Sequence, residues 1–145
     1  MVHKTVHEII NTIVAKDYNA IEENFEIRKM FKEMFQAADT SPLYQLKKHY
    51  PEIYQKVMSR ELDECNMCFK QNIVKGIEQE LYREDLDVDI YVKFYYSLIF
   101  SIKENTSSER EATKLELQAL EYHTRAMATP KGIAELEKQL LKTKI

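Results

Sequence analysis

The chain reads as an all-α protein, a bundle of about six or seven helices, on three observations. Breakers are few: Gly76 and Gly132 are the two glycines, and Pro42, Pro51 and Pro130 the three prolines, in 145 residues. Glu, Lys, Leu and Met, all good helix formers, abound, and the strict apolar–polar alternation of a half-buried strand is scarce. Apolar residues instead recur three and four apart over long stretches, which builds one face of a helix. This length suffices for one domain with a real core, expected to span 1–145.

The elements follow in order. Val6, Ile9, Ile10 and Ile13 make one stripe on a first helix over about 2–15. Asp17 or Asn19 caps the second, and Asn19 with Glu22 three residues on has capping-box spacing. That helix carries Ile27, Phe31, Met34 and Phe35 and fades near Ala38; Asn24 weakens its beginning. Ser41-Pro42 is a cap followed by a first-turn proline, opening a short helix through Lys48. Tyr50-Pro51 then forces a break, since the residue before proline avoids helical geometry. From Pro51 to Tyr82 no breaker intervenes, and Tyr54, Met58, Leu62, Cys65, Phe69, Ile73, Ile77 and Leu81 form one stripe about 45 Å long at 1.5 Å per residue. Gly76 inside it costs about 1 kcal/mol against alanine, which a close helix crossing would explain.

The stretch from Ile73 to Asp87 reads as the end of that long helix, a tight charged turn and the start of a new helix capped by Asp87 and reaching about Lys103. Val88, Ile90, Tyr91, Val92, Phe94, Tyr95, Leu98, Ile99, Phe100 and Ile102 surround that helix almost entirely. A helix apolar on all sides must be buried on all sides, and a small domain covers only one of them, so a partner is expected on the other. Ser108 with Glu111 is a second capping-box pair, opening a helix to about Ala128. Ala112, Ala119 and Ala126 recur every seven residues there, with Leu115 and Tyr122 between them. Such a small-residue seam admits another helix closely. Thr129-Pro130 caps a last amphipathic helix bearing Ile133, Leu136 and Leu140.

Composition excludes several classes. The net charge is −3 with both signs interspersed, and no basic face of the kind a free-standing DNA reader carries stands out. The most apolar run, Ile90 to Ile102, is interrupted by Lys93, Ser97 and Ser101 and is too short to span a bilayer. Met1-Val-His-Lys lacks the layout of a secretion signal. A soluble, cytoplasmic protein without membrane contact is expected. Cys65 and Cys68 form a C-x-x-C, but mid-helix, with no second Cys or His pair at zinc spacing; they read as packing thiols in a reducing compartment.

Nothing points to an enzyme, a metal or a cofactor. His3 and His7 lie one turn apart near a chain end, a solvated pair rather than a site. No Glu-x-x-His occurs, which argues against a carboxylate di-iron bundle. His-Glu-x-x-His, a Gly-rich phosphate loop and a Gly-x-Ser-x-Gly elbow are missing. His123, amid Glu121, Tyr122 and Arg125, fits packing at an interface. The carboxylates Glu84, Asp85, Asp87 and Asp89 are turn and helix-start chemistry.

Several features together resemble the regulatory domain of TetR/AcrR-like transcriptional regulators. The turn Gly76-Ile77…Leu81-Tyr82-Arg83…Asp85-Leu86-Asp87 looks like that family's link between its long pocket helix and its first dimerisation helix. Helices 88–103 and 110–128 look like the pair that forms its intersubunit four-helix bundle. Tyr122-His-Thr-Arg-Ala126-Met-Ala-Thr129-Pro130-Lys131-Gly132 is similar to some members' C-termini. The family's DNA reader, a helix-turn-helix unit ahead of this domain with a Thr-x-x-x-Ile-Ala-like segment, has no counterpart in these residues. They are therefore expected to bind no operator themselves; DNA would be reached only through a separate helix-turn-helix domain.

The resemblance implies a homodimer and a small-molecule effector bound inside each subunit, which shifts the spacing of two DNA readers. The expected pocket wall is Phe31, Met34, Phe35, Tyr54, Met58, Leu62, Cys65, Phe69, Phe94 and Tyr95. Methionine and aromatic walls suit an apolar or aromatic ligand, and the hydroxyls of Tyr54 and Tyr95 supply a polar anchor. The competing reading is that the same side chains only fill a core. The expected dimer interface is Tyr91, Tyr95, Leu98 and Ile102 with Leu115, Ala119, Tyr122 and Ala126. The alternative function is a ligand-free helical adaptor that docks a protein partner.

Overall fold

The computed structural model describes residues 6–34 and 42–143. It is all-helical: α1 (Val6–Val14), α2 (Ala20–Met34), α3 (Pro42–His49), α4 (Pro51–Glu78), α5 (Val88–Asn105), α6 (Glu109–Met127) and α7 (Pro130–Thr143), with no strand among the described residues. Their starts follow the local chemistry. Asn19 and Glu22 form a complete capping box: Asn19 Oδ1 accepts from the Glu22 N–H at 2.9 Å and Glu22 Oε1 from the Asn19 N–H at 3.2 Å. Asp87 caps α5 by accepting from the Ile90 N–H, Ser108 caps α6 through Glu111, and Thr129 caps α7 through Gly132. Pro51 occupies the first turn of α4. Asn24 does not disturb α2, because its amide is used across the helix interface instead.

The long stripe ends earlier than its periodicity predicts. α4 stops at Glu78, and the chain reverses through Glu80, the one non-glycine residue with positive φ (63°) among those described. The Leu81 N–H donates to the Gly76 carbonyl at 2.8 Å and the Glu80 N–H to that of Ile77 at 3.0 Å, the two bonds of a Schellman ending. Leu81 and Tyr82 thus leave the helix and fold back into the core. Gly76 is explained differently from the expected helix crossing. A methyl there would overlap the ring of Tyr82, which lies directly against the backbone it has just left.

This turn is stitched to the link between α6 and α7. The Arg83 N–H donates to the Met127 carbonyl at 2.9 Å, and the Thr129 N–H to that of Leu81 at 2.9 Å, around an isolated antiparallel bridge between Tyr82 and Ala128. Thr129 Oγ1 donates to the Glu80 carbonyl at 2.7 Å, and the Arg83 guanidinium to that of Ala126 at 2.9 Å. The same guanidinium donates to the Tyr91 hydroxyl at 3.0 Å, bringing in the start of α5.

α2 is the central helix, packed against α1, α4, α6 and α7. The main core joins Ile21 and Phe25 of α2 to Ile73, Leu81, Tyr82, Val92, Leu120, Met127 and Leu136. α5 runs antiparallel to α4, as Lys70–Asp89 (3.1 Å) at one end and Gln55–Glu104 (3.0 Å) at the other show. A second cluster seals α5 against α6: Ile99 and Ile102 sit on Ala112 and Ala119. The alanine seam therefore does admit a close helix, and that helix is α5 of the same chain.

Between α2 and α4 lies a polar seam that apolar periodicity does not announce. Glu23, 3% exposed, accepts from the Lys75 ammonium at 2.6 Å and from Asn72 Nδ2 at 3.0 Å. Asn72 Nδ2 also donates to the Ala20 carbonyl at 3.0 Å, and Asn72 Oδ1 accepts from Asn24 at 2.9 Å. Buried polar groups are tolerated because each finds a partner here.

Candidate ligand-binding region and association face

The structure separates the expected pocket residues into groups. Phe69 of α4 sets its edge against Tyr95 of α5, with centroids 5.4 Å apart at 71°. Tyr95 in turn stacks on His123 of α6 at 4.1 Å and 18°. These three rings, one from each of three helices, form an aromatic floor, a favourable arrangement for both edge and offset contacts. Tyr54 is buried elsewhere, beneath the Lys47 ammonium (5.6 Å from its ring), while Lys47 donates to the Thr106 carbonyl at 2.7 Å. Fifteen residues of helix separate it from Phe69, roughly 22 Å at the α-helical rise, so one small ligand does not touch both.

Phe94 is corrected outright: it is 65% exposed and points away from the interior. Phe31, Met34, Met58, Leu62 and Cys65 lie on the helical backbones of α2 and α4, but their side chains are outside the described part, and Phe35 lies outside the described residues altogether. Cys68 is a free, half-buried thiol; burial, and then the nearby Glu23 carboxylate, push its pKa up, as befits a packing thiol rather than a nucleophile.

Sequence reasoning missed Arg28. It projects from α2 beside this floor, and one of its terminal N–H groups donates to the Thr113 carbonyl of α6 at 3.3 Å. Its Nε is buried without an acceptor. Burial lowers the guanidinium pKa, while Glu116 and then Tyr95 raise it in part. The Tyr95 phenol is raised by burial and by Glu116, with Arg28 opposing. The available signal was weak: a cation three residues after Phe25 and three before Phe31, with the polar Asn24 and Lys32 on the same face.

Burial holds the His123 imidazole well below its usual range, at about 4. The unfolded chain, with a histidine near pH 6.5, takes up that proton first. His123 therefore contributes stability that is complete above about pH 6.5, declines as pH falls, and is gone below about 4. Urea unfolding is expected to show a loss of about 2 kcal/mol from this group between pH 7 and 5. His123→Phe should flatten that portion of the profile; an unchanged slope would remove His123 as its source.

On α5 the outward apolar face is offset by one position from the face expected to associate. Ile90 (44%) and Phe94 (65%) are exposed, Tyr91 and Leu98 are half-buried, Tyr95 turns to His123, and Ile102 belongs to the intrachain core. On α6, Leu115 (42%), Tyr122 (73%) and Ala126 are exposed as an outward stripe should be, whereas Ala119 is buried against α5. Since Tyr95 sits opposite His123 on antiparallel helices, Phe94 and Tyr122 stand at the same level of the α5–α6 pair.

Elsewhere, an open groove of about 540 Å³ lies between α2, the 79–81 turn and α7, lined by Asn19, Gln79, Leu81, Lys131, Glu135 and Lys138 among others. No group of three or more His, Cys, Asp or Glu among the described residues is placed to hold a metal ion. No described helix is long and apolar enough to cross a membrane. No protein-family model, curated protein or solved structure matches the chain.

Proposed function

We propose that this chain is the effector-sensing and dimerisation part of a TetR-like transcriptional regulator, acting on DNA through a separate helix-turn-helix domain. The observation that carries the reading is the pair of exposed aromatic side chains, Phe94 and Tyr122, on adjacent antiparallel helices. Large apolar side chains grouped on one surface mark a contact, and two copies joined through α5 and α6 form a four-helix bundle. The small apolar or aromatic effector binds over the Phe69–Tyr95–His123 floor, where α2, α4, α5 and α6 converge.

The stitched turn supports a mechanism. The C-terminal end of α4 is tied by hydrogen bonds to the α6–α7 link, so a ligand entering beside α4 tilts chiefly its N-terminal half. Differential affinity for the two tilts is what transmits the signal. The test is sedimentation at micromolar concentration, where the wild type is expected as a dimer. Phe94→Glu with Tyr122→Glu is expected to weaken the dimer at least a hundredfold, since four charges would enter an apolar contact. A monomeric wild type would sink this reading and favour the adaptor, whose partner is a different protein.

A further inference from the structure

Arg28 is a half-buried cation with an enclosed Nε. Among the described residues it makes one long hydrogen bond, to the Thr113 carbonyl at 3.3 Å, and its Nε–H is buried without an acceptor. Buried N–H groups are rarely left so, and for a charged group the omission is more costly than for a neutral one. Glu116 on α6 acts on the same charge and compensates it in part, yet its Oε1, like Arg28 Nε, is buried without a hydrogen-bond partner, and burial outweighs the compensation. A further anion is the natural complement, because a carboxylate presents two oxygens that can take Nε–H and a terminal N–H together.

We propose that Arg28 anchors the carboxylate of an acidic amphiphile, whose apolar body lies along the aromatic floor of Phe69 and Tyr95. This rests on the sensing reading above and narrows it from any apolar ligand to an organic acid. The geometry supports the division of labour: Arg28 and Glu116 sit at the α2–α6 side, while the rings come from α4 and α5. Glu116 then has a defined opposing part. It keeps the cation tolerable in the empty protein and repels the incoming acid, so it limits affinity.

The test is calorimetric titration of the full chain with decanoate and with decan-1-ol, which share a chain and differ in head-group charge. Decanoate is expected to bind at least tenfold more tightly than the alcohol, the scale of one charged hydrogen bond. Arg28→Gln should abolish that preference while leaving the alcohol's affinity unchanged, which also shows that the variant is folded. Glu116→Gln should tighten decanoate severalfold, an effect opposite in sign. An alcohol as tight as the acid, a preference that survives R28Q, or an E116Q variant that weakens decanoate each overturn the proposal and leave the sensing reading standing. Failure of both compounds to bind removes the two together.

Discussion

Gly132→Ala is expected to destabilise the protein by about 3 kcal/mol, although alanine is the better helix former. A methyl at this position would overlap the carbonyl oxygen of Leu81. That carbonyl is backbone, and it already accepts from the Thr129 N–H at 2.9 Å and from Thr129 Oγ1 at 3.2 Å. Relief therefore requires the α4–α5 turn and the α6–α7 link to separate, stretching hydrogen bonds that hold both. Overpacking alone costs typically about 1–3 kcal/mol, and weakened buried hydrogen bonds add about 1 each, against a propensity gain of about 1. Urea unfolding at neutral pH measures the difference directly. A variant as stable as the wild type would mean that the two segments are less tightly joined than described.

Lys75→Met is expected to cost about 2–3 kcal/mol, far beyond an ordinary lysine substitution. Lys75 is the partner of Glu23, whose carboxylate is nearly wholly buried and receives the ammonium at 2.6 Å. Removing one member of a buried pair leaves the other charge uncompensated, at about 3–5 kcal/mol when both are fully enclosed. The Lys75 side chain is 29% exposed, so the expectation is set lower. Asn72 would remain as a donor to Glu23 at 3.0 Å, which is not enough to replace a cation. Glu23→Gln combined with Lys75→Met should recover most of the loss, because no charge then remains buried. If the double variant is no more stable than the single one, the ion pair is not what holds this seam.

Much of the fold was legible in residues taken a few at a time. Asn19 with Glu22, Ser108 with Glu111, Asp87 and Thr129 mark helix starts because a capping side chain satisfies donors within three residues of itself. The end of α4 was less legible: Glu80 takes a left-handed conformation that glycine usually marks, so nothing in its identity announced the turn. The polar seam of Glu23, Asn72 and Lys75 escaped for another reason. Each of these residues is ordinary on a solvated face, and their spacing relates two helices fifty residues apart.

The candidate site divides along the same line. Phe69 and Tyr95 were identifiable as large apolar residues at helical spacing, but Arg28 was not, because a cation next to Lys29 and one turn from Lys32 reads as part of a solvated face. On α5 the stripe was placed one position off, and one residue on a helix is a rotation of 100°. On α5 residues 90 and 94 are the exposed apolar ones, where 91, 95, 98 and 102 had been expected; on α6 residues 115, 122 and 126 are exposed as expected and 119 is not.

By itself the sequence determined that this chain is all-helical, where most of the described helices start and which of them are amphipathic. Those properties follow from capping, proline and a period of 3.6 residues, all of which act within a turn or two. Only the tertiary structure decided which side of α5 faces outward, since a helix apolar all round has no preferred azimuth until neighbours pack against it. It also decided what Gly76 and Gly132 are for, and it set Arg28 beside an aromatic floor, because each depends on groups that the chain brings close only when folded.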